Sequence, residues 1–374
     1  MRQYTEKEME EVLGQYSYLG ELKEAGAYGN GHINRTYLLK YEKADGGMRR
    51  VILQGINREV FQNPEELMEN VVSVTEYLRE KIVKKGGDPE RETLSVLPTG
   101  DGMYYYVDSQ ENYWRAYAFI EGASCYDQPK SQEDFYQSAL AFGNFQYLLS
   151  DFPAEMLHET IPQFHDTGKR LKDFKEAVQK DVCGRAAQVQ DEIAFVLERE
   201  SDAKVFGEML AKQELPLRVT HNDTKLNNIM IDNETRKGIC VIDLDTVMPG
   251  LAAYDYGDSI RFGANTAAED EKDLTKVSCD LELFRVYTRG FLEGCRGALT
   301  KREVETLPLG AKVMTYECGM RFLTDYLEGD HYFKISREGQ NLDRARTQFK
   351  MVEDMEKKWK QMAEIVEEEE KRWS

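Results

Sequence analysis

The side chains best suited to chemistry are concentrated in residues 219–250, VTHNDTKLNNIMIDNETRKGICVIDLDTVMPG. The pattern predicts a short strand, then the polar loop HNDTKLNN, then a hairpin. This loop offers a base, a cation and a neutral oxygen ligand, which are Asp223, Lys225 and Asn228. Asp243 and Asp245 add hard carboxylate oxygens 20 and 22 residues after the first of these, and the hairpin can fold them back. Because catalytic groups are common on loops at the ends of rigid strands, this segment is the candidate site.

The first third of the chain predicts strands with one helix among them. Alternating or apolar runs indicate four strands, at residues 32–41, 50–56, 104–107 and 114–120. A turn at residues 45–47 makes the first two strands a predicted hairpin. Pro64 opens a predicted helix with apolar residues at helical spacing, which are Leu67, Val71, Val74 and Leu78. Glu121 and Gly122 interrupt this pattern, so we place a domain boundary there, between residues 1–121 and 122–374.

The remainder of the chain predicts a mainly helical domain. Residues 135–149 and 349–366 each carry a stripe of apolar side chains at helical spacing, which indicates two buried helix faces. Between them lies one island of short strands, LRVT, IMI and ICVI. The sequence therefore predicts an α+β protein, and its 374 residues are enough for two domains of about 150 residues each.

Composition limits the classes of function. Lys and Arg total 49 against 68 Asp and Glu, a net charge of −19, which argues against nucleic-acid binding because phosphate backbones require a basic surface. No apolar run approaches the roughly 20 residues that span a bilayer, and the N-terminal residues are charged rather than signal-like. The six cysteines contain no CxxC pair, which favours reduced thiols. We therefore expect a cytoplasmic enzyme without nucleic-acid or membrane partners.

The candidate segment resembles the catalytic segment of protein-kinase-like and aminoglycoside phosphotransferases. From His221 to Asn228 the loop matches the kinase pattern His-x-Asp-x-Lys-x-x-Asn, and the DLD at residues 243–245 stands where these families carry a metal-binding Asp. The resemblance implies a two-lobed, protein-kinase-like fold. In that fold residues 1–121 form the nucleotide-binding lobe, and ATP is expected in the cleft between the lobes.

The resemblance also implies a role for each of these residues in phosphoryl transfer. Asp223 would orient the acceptor hydroxyl and take its proton, as a general base. Lys225 would lie against the γ-phosphate as a point charge. Asn228, Asp243 and Asp245 would hold Mg²⁺, which prefers hard oxygen ligands and bridges the phosphates.

On the nucleotide side the resemblance implies several backbone contacts. Gly29 and Gly31, in AGAYGNG, would let N–H groups approach the phosphates. Glu121 and Gly122 fall where a kinase hinge offers backbone groups to adenine. The second long strand departs from the pattern, because Gln54 stands where this fold normally carries a Lys that grips the α- and β-phosphates. Gln54 can hydrogen-bond a phosphate but cannot offset its charge.

Further blocks narrow the resemblance to the N-acetylhexosamine 1-kinase subgroup of the aminoglycoside phosphotransferase family. They include GHINRTYLL, FHDT, MTYECGMRFLTDYLEGDHYF and NLDRARTQF. The subgroup implies ATP- and Mg²⁺-dependent phosphorylation of the anomeric hydroxyl of GlcNAc or GalNAc. The sugar contacts that it implies are His32, Asn34, Glu317, Arg321 and Tyr332. Glu317 and Arg321 are four residues apart and could equally form an ion pair on one helix face, and Tyr332 could either stack on a sugar or pack in the core.

Two alternatives stay open at this stage. A kinase of another small alcohol, such as choline or an aminoglycoside, would suit the acidic composition because a negative protein attracts cationic substrates. The departure at Gln54 also permits a nucleotide-binding regulatory pseudokinase. The sequence does not distinguish GlcNAc from GalNAc, and it does not fix the oligomeric state, although a monomer is compatible with it.

Overall fold

The computed structural model describes residue 4 and residues 7–29, 33–126, 129 and 131–373. The described residues form eleven strands, which are β1 (Glu21–Ala27), β2 (Arg35–Glu42), β3 (Met48–Gly55), β4 (Val96–Leu97), β5 (Tyr106–Val107), β6 (Tyr113–Ala118), β7 (Ala123–Ser124), β8 (Arg218–Thr220), β9 (Ile229–Asp232), β10 (Gly238–Val241) and β11 (Met248–Gly250). They also form thirteen helices, which are α1 (Glu10–Gly14), α2 (Pro64–Lys84), α3 (Pro89–Glu92), α4 (Gln132–Leu148), α5 (Thr167–Lys180), α6 (Gln190–Glu198), α7 (Glu200–Ala211), α8 (Ala252–Gly263), α9 (Leu281–Cys295), α10 (Lys301–Glu305), α11 (Leu307–Glu328), α12 (Gln340–Lys357) and α13 (Trp359–Glu370).

The chain folds as two compact units. The first unit consists of Met1–Ser124, Met156–Pro162 and Met230–Met248, and the second of Cys125–Glu155, Gln163–Ile229 and Pro249–Ser374. The long N-terminal segment of the first unit ends close to the boundary predicted at residue 121. The first unit also contains two later segments of the chain, which a single boundary does not assign to it, and the second of these carries Asp243 and Asp245.

An antiparallel sheet is the main element of the first unit. Its strand order is β1-β2-β3-β6-β4, with β5 also paired to β6. The predicted hairpin is confirmed, because β2 and β3 pair antiparallel with Tyr37 opposite Leu53. Alternate residues of β2 are buried, as the period of two in a strand requires, and these are Tyr37, Leu39 and Tyr41. Strand β1 was not predicted, because its residues are polar or small and largely exposed.

Helix α2 of the first unit begins where the sequence predicts. Pro64 is its first residue, a position that suits proline because the first turn does not need its N–H group. The predicted apolar stripe is confirmed, and its buried members are Leu67, Val71, Val74 and Leu78. Asn70 on the same helix donates from its Nδ2 to the carbonyl of Val247 at 3.0 Å, which ties α2 to the segment that follows the candidate carboxylates.

The second unit is mainly helical and is organised around α11. This helix packs against α5, α8 and α12, and it carries buried residues along its whole length. The predicted stripe at residues 135–149 is confirmed, because Phe135, Phe142 and Phe145 are buried. The later stripe is buried as predicted except at Trp359, which is 39% exposed, and it is divided between two helices because α12 ends at Lys357 and α13 begins at Trp359. No helix in the described part of the chain is both long and apolar enough to cross a lipid bilayer.

Helices α8 and α11 approach each other at small residues. A Cβ added to Gly257 of α8 would lie 2.3 Å from the carbonyl oxygen of Gly310 in α11. A Cβ added to Gly310 would lie 2.4 Å from the carbonyl oxygen of Ala253. Only hydrogen fits at such distances, so these glycines allow the two backbones to touch. The close approach matters for the candidate site because α8 carries the carboxylates that hold its loop.

We expect Gly257→Ala to lower the free energy of unfolding by about 1–3 kcal/mol, because the added methyl group meets backbone and not a movable side chain. Gly207→Ala in α7 is the matched control, since no heavy atom lies within 4 Å of that Cβ position. The control should be neutral or stabilising by up to about 1 kcal/mol, through better helix propensity. Urea unfolding measures both changes, and equal effects would contradict the close approach of α8 and α11.

Candidate active site

The loop after β8 brings three predicted residues together in the second unit. Lys225 Nζ lies 2.6 Å from Asp223 Oδ1. Asn228 Nδ2 donates to the Asp223 carbonyl at 2.8 Å and to Asp223 Oδ2 at 3.2 Å. Asn222 has a φ of 65°, a left-handed conformation that a short polar residue tolerates, and it turns the chain just before Asp223. A carboxylate, an ammonium group and an amide therefore form one compact cluster.

A buried carboxylate on α8, that of Asp255, holds this loop in place. Its Oδ2 accepts from the His221 N–H at 2.9 Å, and its Oδ1 accepts from the Asn222 N–H at 2.7 Å. Gln146 Nε2 donates to the same carboxylate at 2.7 Å. Burial raises the pKa of Asp255, while the donated hydrogen bonds favour its ionised form. The His221 ring is itself buried, with its centroid 5.4 Å from that of Phe142, so this histidine supports the loop from the core.

A second carboxylate on α8, that of Asp258, sets the charge of Lys225. Asp258 accepts from the Thr224 N–H at 3.1 Å and from Arg261 Nη2 at 2.8 Å. Burial raises the pKa of Asp258, but Arg261 and Lys225 outweigh it, so this pKa is lowered overall. Burial also lowers the pKa of Lys225, and the carboxylates of Asp223 and Asp258 more than offset it, so this pKa is raised. Lys225 is therefore a cation beside Asp223 at neutral pH.

The segment after the hairpin places its two carboxylates in different environments of the first unit. Asp243 is exposed and has φ 60° and ψ 58°, a left-handed conformation that is rare outside glycine and frequent at functional sites. Asp245 is only 2% exposed. Its Oδ1 lies 2.5 Å from Arg115 Nη2, and its Oδ2 accepts from Asn34 Nδ2 at 2.6 Å. Asp243 is thus exposed, whereas both oxygens of the buried Asp245 lie against protein groups.

Two other predicted ligand contacts also have partners within the first unit. Asn34, predicted to contact the sugar, binds Asp245 and accepts from the backbone N–H of Asn57 at 3.0 Å. Gln54, predicted to contact phosphate, accepts from Arg115 Nε at 3.1 Å and from its Nη2 at 2.9 Å. The contacts of these residues with a ligand therefore stay predictions, and the structure shows what each binds within the protein.

The remaining nucleotide-side residues are distributed along the first unit. Gly29 has a φ of 75° and no heavy atom within 4 Å of its Cβ position, while Gly31 and His32 lie outside the described residues. The Glu121 carbonyl accepts from a guanidinium group of α3 at 3.2 Å, and the Gly122 carbonyl accepts from the turn after β9 at 2.9 Å. Both carbonyls are engaged in the protein, and contact of this segment with adenine stays a prediction.

Helix α11 contributes Glu317 to a buried network beside the loop. This residue is 1% exposed, and its carboxylate lies 2.8 Å from His165 Nδ1 and accepts from Thr167 Oγ1 at 2.6 Å. His165 Nε2 lies 3.2 Å from the carbonyl oxygen of Asn222, the residue before Asp223. Burial raises the pKa of Glu317, but His165 more than offsets it, so this pKa is lowered. No role for His165 was predicted from its residue type or spacing, although the FHDT block that contains it was a visible signal.

Two arginines lie next to this network in the second unit. Arg321 of α11 has its guanidinium carbon 5.4 Å from the Phe164 ring centre and 5.7 Å from the ring centre of the exposed Tyr332. Arg170 of α5 donates to the Phe164 carbonyl at 2.9 Å, and its buried Nε has no hydrogen-bond partner among the described residues. Burial lowers the pKa of Arg170, and the neighbouring Arg321 lowers it further. Glu317 and Asp173 act in the opposite direction but do not outweigh these two effects, so the pKa of Arg170 is lowered overall.

Residues 24–282 match the family described as the phosphotransferase enzyme family, a span of well over half of the chain. The chain belongs to this family. Its members transfer phosphoryl groups, so the enzyme class expected from the loop is confirmed at this level.

Solved structures of phosphotransferases share the fold. An aminoglycoside phosphotransferase from Alicyclobacillus acidocaldarius matches with a TM-score of 0.58 at 11% identity, over 93% of each chain. An amicoumacin kinase in complex with AMP-PNP, Ca²⁺ and Ami matches at 0.56 and 12% identity, over 95% of this chain and 94% of that one. A choline kinase from Cryptosporidium parvum Iowa II matches at 0.55 and 14% identity, over 96% and 99%. The predicted kinase-like fold is thereby confirmed.

We expect Asp255→Ala to lower the free energy of unfolding by about 3 kcal/mol, because two buried backbone N–H groups and one amide lose their acceptor. It should also speed amide hydrogen exchange at His221 and Asn222 by at least about tenfold, since both amides donate to this carboxylate. Asp255→Asn keeps one acceptor oxygen and is the conservative comparison, with a smaller expected effect. Unchanged exchange at both amides in the alanine variant would show that Asp255 does not hold the loop.

Proposed function

We propose that this phosphotransferase is an N-acetylhexosamine 1-kinase, which transfers the γ-phosphoryl group of ATP, with Mg²⁺, to the anomeric hydroxyl of GlcNAc or GalNAc. The observation that carries the phosphoryl-transfer part is the cluster of Asp223, Lys225 and Asn228 on a loop fixed by buried carboxylates. Phosphoryl transfer asks the protein mainly to position the reactants and to neutralise charge, and a fixed cluster of these groups does both.

Asp223 is the proposed general base. An anomeric hydroxyl is more acidic than other sugar hydroxyls, so a carboxylate is basic enough to take its proton during the transfer. Lys225, 2.6 Å from Asp223, supplies a fixed positive charge for the transferring group. Asn228 donates from its amide nitrogen to Asp223, and this bond orients its amide oxygen as a ligand.

Asn228 and Asp243 are the proposed Mg²⁺ ligands. Amide and carboxylate oxygens are the hard donors that Mg²⁺ prefers, and Asp243 is exposed on a backbone conformation seen often at functional sites. Among the residues that the structure describes, no three His, Cys, Asp or Glu side chains form a metal-binding group by themselves. The amicoumacin kinase structure contains AMP-PNP and Ca²⁺, which supports a nucleotide and a divalent cation as partners here. When bound, Mg²⁺ would neutralise charge on the phosphates.

The charges beside the catalytic loop favour a neutral acceptor over choline or an aminoglycoside. Arg321 lies close enough to Arg170 to lower its pKa, and a cationic acceptor would add a third positive charge. Sugar hydroxyl and N-acetyl oxygens accept hydrogen bonds from guanidinium groups. Tyr332, exposed beside Arg321, offers a ring that can cover a pyranose face.

The other predicted acceptor contacts take different roles in this proposal. Glu317 is bound by His165 and Thr167, so we assign it the positioning of His165 and not direct contact with the sugar. His165 Nε2 lies 3.2 Å from the carbonyl oxygen of Asn222 in the proposed catalytic loop, so we add His165 to the residues proposed to lie near the sugar acceptor. His32 is retained as a proposed sugar contact on the basis of the sequence alone.

Phosphorus NMR of the products tests the substrate class. We expect incubation with ATP, Mg²⁺ and either GlcNAc or GalNAc to produce a sugar 1-phosphate signal, while choline and an aminoglycoside produce none. A phosphocholine or phosphoaminoglycoside signal would move the protein to the cationic-alcohol alternative. Nucleotide binding without any phosphorylated product would favour the pseudokinase.

Asp223→Asn tests the base. Because the amide cannot take a proton, kcat should fall by about 10²–10⁴-fold, while ATP affinity changes little. Glu234→Gln removes an exposed carboxylate from the turn between β9 and β10 and serves as the control, with kcat unchanged. Steady-state kinetics and nucleotide titration give both quantities, and a wild-type kcat in Asp223→Asn would exclude this residue as the base.

A further inference from the structure

A buried polar network in the first unit connects the sheet to the segment that carries Asp243. Arg115 on β6 stands directly opposite Gln54 on β3 and is 1% exposed. Its Nε and Nη2 donate to Gln54 Oε1 at 3.1 Å and 2.9 Å, and Nη2 lies 2.5 Å from Asp245 Oδ1. The positive charge that this fold was expected to carry on β3 is thus present on the adjacent strand, and it contacts a carboxylate.

Asp245 is held from several sides of this network. Asn34 Nδ2 donates to its Oδ2 at 2.6 Å, and Asn34 is fixed in turn by the backbone N–H of Asn57. The main-chain carbonyl of Asp245 accepts from Thr160 Oγ1 at 2.8 Å. Oδ2 and the carbonyl therefore each accept a hydrogen bond, whereas Oδ1 lies against the Arg115 guanidinium and has no hydrogen-bond partner among the described residues. A metal ion at this carboxylate would have to displace the guanidinium or the Asn34 amide.

The charges of Arg115 and Asp245 depend on each other. Burial lowers the pKa of Arg115, but Asp245, with further contributions from Tyr117 and Asp243, more than offsets it, so this pKa is raised and the guanidinium stays charged. A buried ion is stable only with its counter-ion, and removal of one partner leaves the other charge uncompensated. Gln54 adds a neutral acceptor to the guanidinium, and its own Nε2 donates to Thr36 Oγ1 at 3.2 Å.

We propose that Asp245 is the buried counter-ion of Arg115 and a positioning residue, not a Mg²⁺ ligand, and that this pair fixes the turn that presents Asp243. Gln54 then holds Arg115 and does not contact phosphate. The part of this inference that concerns Mg²⁺ rests on the proposed function, whereas the ion pair itself does not.

The short turn after Asp243 explains how the pair can act on it. Leu244–Thr246 forms a single 3₁₀ turn, so Asp245 lies in the turn that Asp243 begins. Beyond the turn, the Val247 carbonyl accepts from Asn70 of α2. The contacts of Asp245 and Val247 hold the backbone on the C-terminal side of Asp243 in place. A left-handed residue such as Asp243 persists only where its surroundings impose that conformation.

A metal titration separates the two carboxylates. Mn²⁺ binding in the presence of ADP, followed by electron paramagnetic resonance, should weaken by at least about 30-fold in Asp243→Asn, because a ligand is lost. Asp245→Asn has the same shape and keeps an acceptor oxygen but loses the charge that fixes the turn, so we expect a smaller weakening of Mn²⁺ binding, by about threefold to tenfold. Equal weakening in the two variants would overturn the assignment of Asp245.

Thermal unfolding without nucleotide tests the ion pair. Arg115→Met should lower the midpoint by about 10 °C, because it leaves a buried carboxylate uncompensated. Adding Asp245→Asn to this variant removes the second charge and should restore at least half of the loss. Arg50→Met is the matched control from the same sheet, since Arg50 pairs with the exposed Glu121, and its midpoint should shift by no more than about 2 °C. A double variant no more stable than Arg115→Met would overturn the pair.

The two measurements also separate this inference from the proposed function. A wild-type protein that binds no Mn²⁺ with ADP would refute the kinase function, and the unfolding series would still decide on the ion pair. If Arg115→Met does not fold, folding of the double variant supports the pair. If neither folds, Asp245→Asn alone decides, because loss of the counter-ion must lower the midpoint and an unchanged midpoint overturns the proposal.

Discussion

The candidate site depends on one buried carboxylate that accepts hydrogen bonds from two backbone N–H groups. This carboxylate belongs to Asp255, the N–H groups belong to His221 and Asn222, and their hydrogen bonds set the direction in which the chain enters the loop. Burying a carboxylate is costly unless it is fully hydrogen-bonded, and here the backbone of the loop supplies the bonds. The position of α8 in turn depends on its approach to α11, which only glycine permits at Gly257.

The acidic residues discussed for the two units fall into two groups by environment and not by sequence. Asp223 and Asp243 are accessible, and each is associated with a left-handed backbone conformation. For Asp223 the preceding residue, Asn222, adopts it, and Asp243 adopts it itself. Asp255 and Asp245 are buried, and each is bound by donors from other segments. Because solvation decides whether a carboxylate can bind a ligand or only serve the structure, residues with the same side chain have different functions here.

The sequence was sufficient where the determining interactions are local. The β2–β3 hairpin follows from alternation and a turn, and α2 begins at its proline. The loop cluster also lies within a few residues, so its spacing could predict it. The rest depends on contacts distant in the chain: Arg115 meets Asp245 across 130 positions, and Glu317 meets His165 across 152. Neither pairing leaves a periodic or spaced signal, and the division between α12 and α13 likewise has no proline or glycine to mark it.

The proposed neutral acceptor and the acidic composition of the chain lead to different expectations about the substrate. A net charge of −19 attracts cations at long range, but salt screens that attraction beyond a Debye length of about 8 Å. At the distances of direct contact the nearest groups dominate, because the Coulomb energy rises as separation and local dielectric fall. Next to the catalytic loop those groups include Arg170 and Arg321, while the nearby carboxylate of Glu317 is already bound by His165. In the proposed function, overall charge therefore acts on the approach of a molecule to this protein, and the guanidinium pair acts on the acceptor beside the proposed base.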